Sequence, residues 1–191
     1  EPLLQTFNLV GGTALALRLG HRKSIDLDLF TSEDFDIEEL KSMLVQRYGL
    51  KVSYERNQTL KGFINGIMID CIRFNYPHIQ TPDIIDGIRL ESVPDIIAMK
   101  LSAIAQNGTR IKDFVDIATL STQYSLNEML GFYSAKFPHA NVLMPIKALT
   151  YFDDSSFTDN ETLVKGHKLV LDEEKSNKFG TITNVGNVVN S

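Results

Sequence analysis

Residues 7–30 read FNLVGGTALALRLGHRKSIDLDLF, and the change of period inside this stretch decides the fold. A short apolar run from Phe7 to Val10 stops at Gly11-Gly12, and TALALRLG then carries apolar residues at helical spacing. The order is strand, glycine turn, helix. After the basic loop His21 to Ser24, the chain alternates Ile25, Asp26, Leu27, Asp28, Leu29, the period-two mark of a strand with two unlike faces. Asp26 and Asp28 share one face, roughly 6 to 7 Å apart at the usual rise per residue. At that distance both carboxylates can converge on a hard cation, which turns their repulsion into attraction. An exposed strand face with solvated acids leaves the same trace.

The elements on either side are read from their punctuation. DIEELKSMLVQRYG is an amphipathic helix with Asp36 as its cap and Gly49 as its stop. KVSYERN, TLKGFIN and IMIDCIRF read as successive strands, the last two as a hairpin around Gly66, so residues 7–76 form a small α/β layer. From Ser92 the pattern turns helical: SVPD opens a helix that continues through IIAMKLSAIAQ to Asn107-Gly108. RIKDFVDIATLS and SLNEMLGFYSAKF follow as two more helices, the latter opened by Ser125 with Glu128 in capping position. After about residue 150 the chain is polar and turn-rich, which predicts a loosely held tail over 151–191.

Composition narrows the function. The chain has 191 residues, 43% hydrophobic and 23% charged, enough for one globular core with or without a small helical appendage. A single cysteine, Cys71, leaves no disulfide framework and suits a reducing cytoplasm. No apolar run is long enough to span a membrane and the N-terminal stretch lacks a secretion signal, so a soluble, cytoplasmic protein without a membrane partner is expected. The chain opens on Glu1-Pro2 and not Met, which leaves room for an upstream segment. A net charge of −5 argues against a general nucleic-acid coat, so any such contact should be local, through Arg18, His21, Arg22 and Lys23 or through Lys100, Arg110 and Lys112. His21, His78, His139 and His167 show no metal-ligand spacing and no triad pattern.

The glycine pair adds weight to the acids. Missing side chains at Gly11-Gly12 let backbone N–H groups and the positive end of a helix approach a phosphate. Thirteen residues then separate the pair from Asp26-Leu27-Asp28-Leu29. This arrangement resembles the signature of polymerase-beta type nucleotidyltransferases, and the wider string LVGGTALALRLGHRKSIDLDLF is similar to the AbiEii/AbiGii toxin family within them. The resemblance implies an α+β fold: a small mixed β-sheet nucleotidyltransferase core with helices over 1–90, and a C-terminal helical region over 91–150 that completes the active site.

The same resemblance implies site residues. A third carboxylate on a neighbouring strand matches Asp70, which interrupts an apolar face that an ordinary core strand would keep apolar. Lys100 matches a helix lysine that would face the triphosphate, although a lysine bordering an apolar stripe can also snorkel to water. Lys112-Asp113 with Asp116 matches a basic-Asp-x-x-Asp segment, with Lys112 where the family usually has Arg. Asp113 and Asp116 lie on adjacent helical positions, where they can bind Lys100, cap a loop or meet the nucleotide; Asp113 is taken as active-site and Asp116 as structural. Gly11, Gly12 and Thr13 would seat the nucleotide, with Ser24, two before Asp26, placing a hydroxyl toward phosphate.

The expected chemistry is transfer of a nucleoside monophosphate from a nucleoside triphosphate to an acceptor hydroxyl, with two Mg2+ ions on Asp26, Asp28 and Asp70. The resemblance implies the toxin of a toxin–antitoxin pair, with RNA, in particular tRNA, as acceptor and a cognate antitoxin as partner. Two other readings fit the same residues: transfer to a small molecule such as an aminoglycoside, and a nucleotide-binding or partner-binding protein without turnover.

Overall fold

Beside Asp28 a single residue joins a strand to a helix. In the computed structural model, β1 (Asn8–Leu9) passes through Val10 directly into α1 (Gly11–Leu19), so the helix begins on the glycine pair itself. Gly11 takes a left-handed φ of 68°, which a side chain would disfavour. The structure describes residues 1–150, together with the paired two-residue segments Leu169–Val170 and Thr183–Asn184. The loosely held tail expected over 151–191 lies outside the described residues.

β2 (Leu27–Thr31) begins one residue after Asp26 and leads to α2 (Ile37–Tyr48). Asp36 caps that helix by accepting a hydrogen bond from the Glu39 amide, and Gly49 ends it in the left-handed region. β3 (Lys51–Glu55), β4 (Thr59–Ile64) and β5 (Ile67–Arg73) follow as antiparallel neighbours. Asn65 and Gly66 both have positive φ, the turn that matches the twist of a two-residue hairpin.

A second hairpin was not expected from the sequence: β6 (Asp83–Ile85) and β7 (Ile88–Leu90) turn at Asp86-Gly87, again with positive φ at both positions. The seven strands form one mixed sheet in the order β3-β4-β5-β2-β1-β7-β6, with β2 parallel to β5 and β1 parallel to β7. The expected mixed sheet and following helical region are what the structure shows.

The helical part comprises α3 (Val93–Gln106), α4 (Ile111–Leu120), α5 (Leu126–Lys136) and α6 (Leu143–Thr150). Ser92 caps α3, and Ser125 with Glu128 makes the full capping box on α5. Two apolar clusters cover the sheet. One joins Leu9 and Leu90 to Leu15 of α1 and to Ile97, Leu101, Ile117 and Met129 of the helices. The other sets Leu40 and Leu44 of α2 against Leu60, Ile69 and Cys71. Burial, with the neighbouring Asp70 charge, pushes the Cys71 thiol up to about 12, so it stays protonated and packs as a small apolar group.

Alternation along β2 and β5 therefore sorts the side chains. Ile69 and Cys71 face α2, which leaves Asp70 and, by register, Asp28 on the opposite face. No helix among the described residues is long and apolar enough to cross a membrane.

Candidate active site

Three strands bring three charged residues into one row. Asp28 on β2 pairs in register with Asp70 on β5, and Asp70 pairs in register with Lys61 on β4. Lys61 Nζ donates to Asp70 Oδ2, whereas Asp70 Oδ1 is buried without a hydrogen-bond partner. Burial raises the Asp28 carboxyl above the usual carboxylate range, Asp70 raises it further, and Lys100 and Arg110 oppose the rise only in part. The result is a pair of adjacent carboxylates with less positive charge than they need.

Gly11 closes the row. A Cβ built on it would lie 2.7 Å from Asp28 Oδ2, so the missing side chain is what lets this carboxylate sit against the start of α1. Gly12 serves a different neighbour: its Cβ would come 2.1 Å from Arg22 Nη2. The space over the second glycine is filled by a guanidinium.

Thr13 and Ser24 tie the loop before β2 to α1. Thr13 Oγ1 donates to the Asp26 carbonyl at 2.5 Å and lies 2.9 Å from Ser24 Oγ. Asp26 is half-buried and precedes the strand proper, so the alternation expected from residue 25 begins at Leu27.

Behind this wall stands a buried ionic network. Asp116 accepts from Arg22 Nε at 2.6 Å and Nη2 at 2.8 Å, and from His21 Nε2 at 2.7 Å. Lys100 Nζ bridges Asp113 Oδ1 at 2.5 Å and Asp116 Oδ2 at 2.8 Å. Burial works against ionisation of Asp116, but the hydrogen bonds from Arg22 and His21, with the Lys100 charge, hold its carboxyl far below the usual range. Lys100 is thus buried between two acids and does not snorkel to water. His21, which showed no motif in the sequence, is a member of this network.

A cleft of about 860 Å³ opens onto the row. Gly11, Asp28, Lys100 and Asp113 line it, as does Arg110, whose Nε lies 3.6 Å from the otherwise unbonded Asp113 Oδ2. Asp26, Asp70, Gly12, Thr13 and Ser24 are not on its lining, and Lys112 is exposed away from it. Sequence reasoning missed Lys61 and the binding partners of Arg22. Lys61 had a signal, because a two-residue turn at Asn65-Gly66 pairs it with Asp70; Arg22 had none, since its partner lies 94 positions away.

Among the described residues one trio has ligand atoms within 4.8 Å of one another, His78, Glu91 and Asp95, and the three aspartates Asp26, Asp28 and Asp70 do not make so tight a group. The donor set of the former is already used. Asp95 accepts from Lys136 Nζ at 2.6 Å, Ser92 Oγ at 2.5 Å and the Ile79 and Gln80 amides, while Glu91 accepts from Asn8 and pairs with His78. A buried lysine supplies the positive charge there, so the trio serves as a staple between the chain before β6 and α3 and α5.

Comparison with known proteins gives the family to which the chain is similar. The chain matches the model of the AbiEii family, described as nucleotidyl transferase AbiEii toxin of a type IV toxin–antitoxin system, over residues 1–84 and 67–167. An uncharacterised Aquifex aeolicus protein, aq_aa25, is 32% identical over 155 residues, covering 78% of this chain and 75% of that protein. Among solved structures, JHP933 from Helicobacter pylori aligns with a TM-score of 0.48 at 14% identity, over 78% of this chain and 83% of its own. ANT(2")-Ia in complex with adenylyl-2"-tobramycin aligns with a TM-score of 0.47 at 19% identity, over 67% of this chain and 87% of its own.

Proposed function

The chain belongs to the AbiEii family of nucleotidyl transferase toxins and is a nucleotidyltransferase, and on that premise we propose that it moves a nucleoside monophosphate from a nucleoside triphosphate to an RNA hydroxyl. The observation that carries this reading is the Asp28–Asp70 pair, set against the Gly11 turn with Asp28 on the wall of the cleft.

The donor set fits divalent metal. Two hard carboxylates stand side by side, one with a raised pKa and the other with a buried oxygen that lacks a partner. Asp28 and Asp70, with Asp26 at the mouth of β2, would hold two Mg2+ ions. Metal held by these residues would supply charge neutralisation for the phosphates and a lowered pKa for the attacking hydroxyl.

The chain's own residues do the positioning. Gly11 seats Asp28 against the start of α1, and the triphosphate would approach the amide end of that helix, where the dipole favours anions, beside this carboxylate. Thr13 and Ser24 act by fixing the loop that carries Asp26, and Gly12 by admitting Arg22. Asp70, buried beside Asp28 with Oδ1 unengaged and Oδ2 held by Lys61, would help remove the proton of the acceptor hydroxyl from behind the cleft wall, through the charge it places on Asp28. Arg110, on the cleft wall, faces the phosphates in preference to the exposed Lys112. Lys100 neutralises Asp113 and Asp116 and so holds α4 against α3, acting on the nucleotide through that wall.

The toxin role and a cognate antitoxin partner are part of the proposal, supported by the family match. RNA, the acceptor end of tRNA first among candidates, is proposed as acceptor from the family resemblance, and a net charge of −5 restricts it to a short, locally docked footprint. The test is α-labelled triphosphate offered with bulk RNA, with small hydroxyl compounds including an aminoglycoside, and with no acceptor, each with and without Mg2+. Label on RNA in the presence of Mg2+ is the expected result. Label on the small compounds assigns the other acceptor class, and no label anywhere contradicts turnover.

A further inference from the structure

Beyond Asp28 and Asp70 the same sheet face turns aromatic. Phe30 follows Asp28 by two residues on β2, and Phe74 follows Asp70 by four just past β5, so both rings share the face of the acids. Phe30 and Phe74 have ring centroids 5.2 Å apart, Phe74 and Tyr76 4.8 Å, and Tyr76 and Phe137 4.9 Å. Most aromatic clusters of this kind are core, and Phe137 is buried here. Tyr76 is different: it is 44% exposed, and with Phe30 and Phe74 it lines the cleft that also holds Gly11 and Asp28.

We infer that this aromatic wall, with Tyr76 as its exposed face, stacks the base of the nucleoside triphosphate. The inference rests on the nucleotide-transfer reading and adds the subsite that reads the nucleoside. Three observations carry it. The step along β2 from Asp28 to Phe30 is roughly 6 to 7 Å, so the aromatic wall that ends on Tyr76 begins about one ribose from the acids. The cleft volume of about 860 Å³ takes a whole nucleotide and not only its phosphates. Asn107 and Asn141 line the same cleft and offer amide groups to a base edge. Stacking uses the π-face common to all bases, so the subsite accepts purine and pyrimidine alike.

The test is calorimetric binding of ATP, CTP and inorganic tripolyphosphate to the full chain in Mg2+, for the unaltered protein and for Tyr76→Ala, Tyr76→Leu and Tyr76→Phe. Tyr76 is exposed, so the fold tolerates all three, which thermal melting verifies. Tyr76→Ala and Tyr76→Leu should each weaken ATP and CTP about tenfold, with Tyr76→Phe unchanged and tripolyphosphate bound equally by all four. Triphosphate affinity within about twofold of the unaltered chain in Tyr76→Ala overturns the stacking assignment alone. An equal loss of tripolyphosphate also overturns it, because the tyrosine would then act on the phosphates. If the unaltered chain binds neither ATP nor CTP, the nucleotide-transfer reading falls with it.

Discussion

Asp28 and Asp70 are register partners on two parallel strands, and Lys61, the cross-strand neighbour of Asp70, neutralises only the second of them. A sheet that kept these acids for folding alone would supply a partner for both. Asp28 instead carries a raised pKa, caused first by burial and then by Asp70, so its charge costs the fold something.

Removing that charge should therefore stabilise the metal-free protein. Asp28→Asn is expected to gain about 1 kcal/mol, seen as a higher melting midpoint in the presence of a chelator. An unchanged or lower midpoint would show that the pair is not under electrostatic strain.

Gly12→Ala should destabilise the chain by about 1–3 kcal/mol, because the new methyl meets Arg22 Nη2 while Asp116 holds that guanidinium by two hydrogen bonds. Chemical denaturation of a double-mutant cycle checks the cause. In an Arg22→Ala background most of the cost of Gly12→Ala should vanish, and a cost that persists would place the strain elsewhere.

Lys100→Met leaves Asp113 and Asp116 buried with one cation fewer. A loss of about 3–5 kcal/mol in urea unfolding is expected, in addition to any loss of transfer. Full stability with a purely kinetic defect would instead make this lysine a direct ligand of the triphosphate.

Acid sensitivity follows from Asp95 and Asp116. Burial opposes the charge of each, but Lys136 and Ser92 at Asp95, and Arg22 and His21 at Asp116, lower both pKa values below their unfolded ones. A depressed carboxylate adds stability above its unfolded pKa, about 4, and that stability is lost as pH falls through the folded value. Unfolding free energy measured by urea should thus begin to fall near about pH 4. Asp28, with a raised pKa, acts in the opposite sense and adds stability as pH falls from neutral toward about 4, a gain that Asp28→Asn should lack.

Local signals were legible in the sequence and long-range pairings were not. Asp36, Ser92 and Ser125 announce their helices because a cap and its amide lie three residues apart. The Asn65-Gly66 hairpin is equally local. The β6–β7 hairpin has the same kind of turn at Asp86-Gly87, but its strands are three residues long and mostly exposed, so no alternation marks them. α6 is masked by Pro145 near its start, although Asn141 accepts a hydrogen bond from the Leu143 amide there. The glycine pair and the acids could be found by spacing, whereas the occupant of the space over Gly12 depends on Arg22 meeting Asp116 across the fold. Lys100 looked like a border residue of an apolar stripe, and only the packing of α4 on α3 shows it to be buried.

The most direct measurement is label transfer from an α-labelled triphosphate to RNA in Mg2+ by the unaltered chain and by Asp28→Asn, both shown folded by melting. The unaltered chain should label the RNA and release pyrophosphate, with the variant slower by at least about a hundredfold. Equal transfer by the two proteins would contradict the assignment of the Asp28–Asp70 row as the reaction centre.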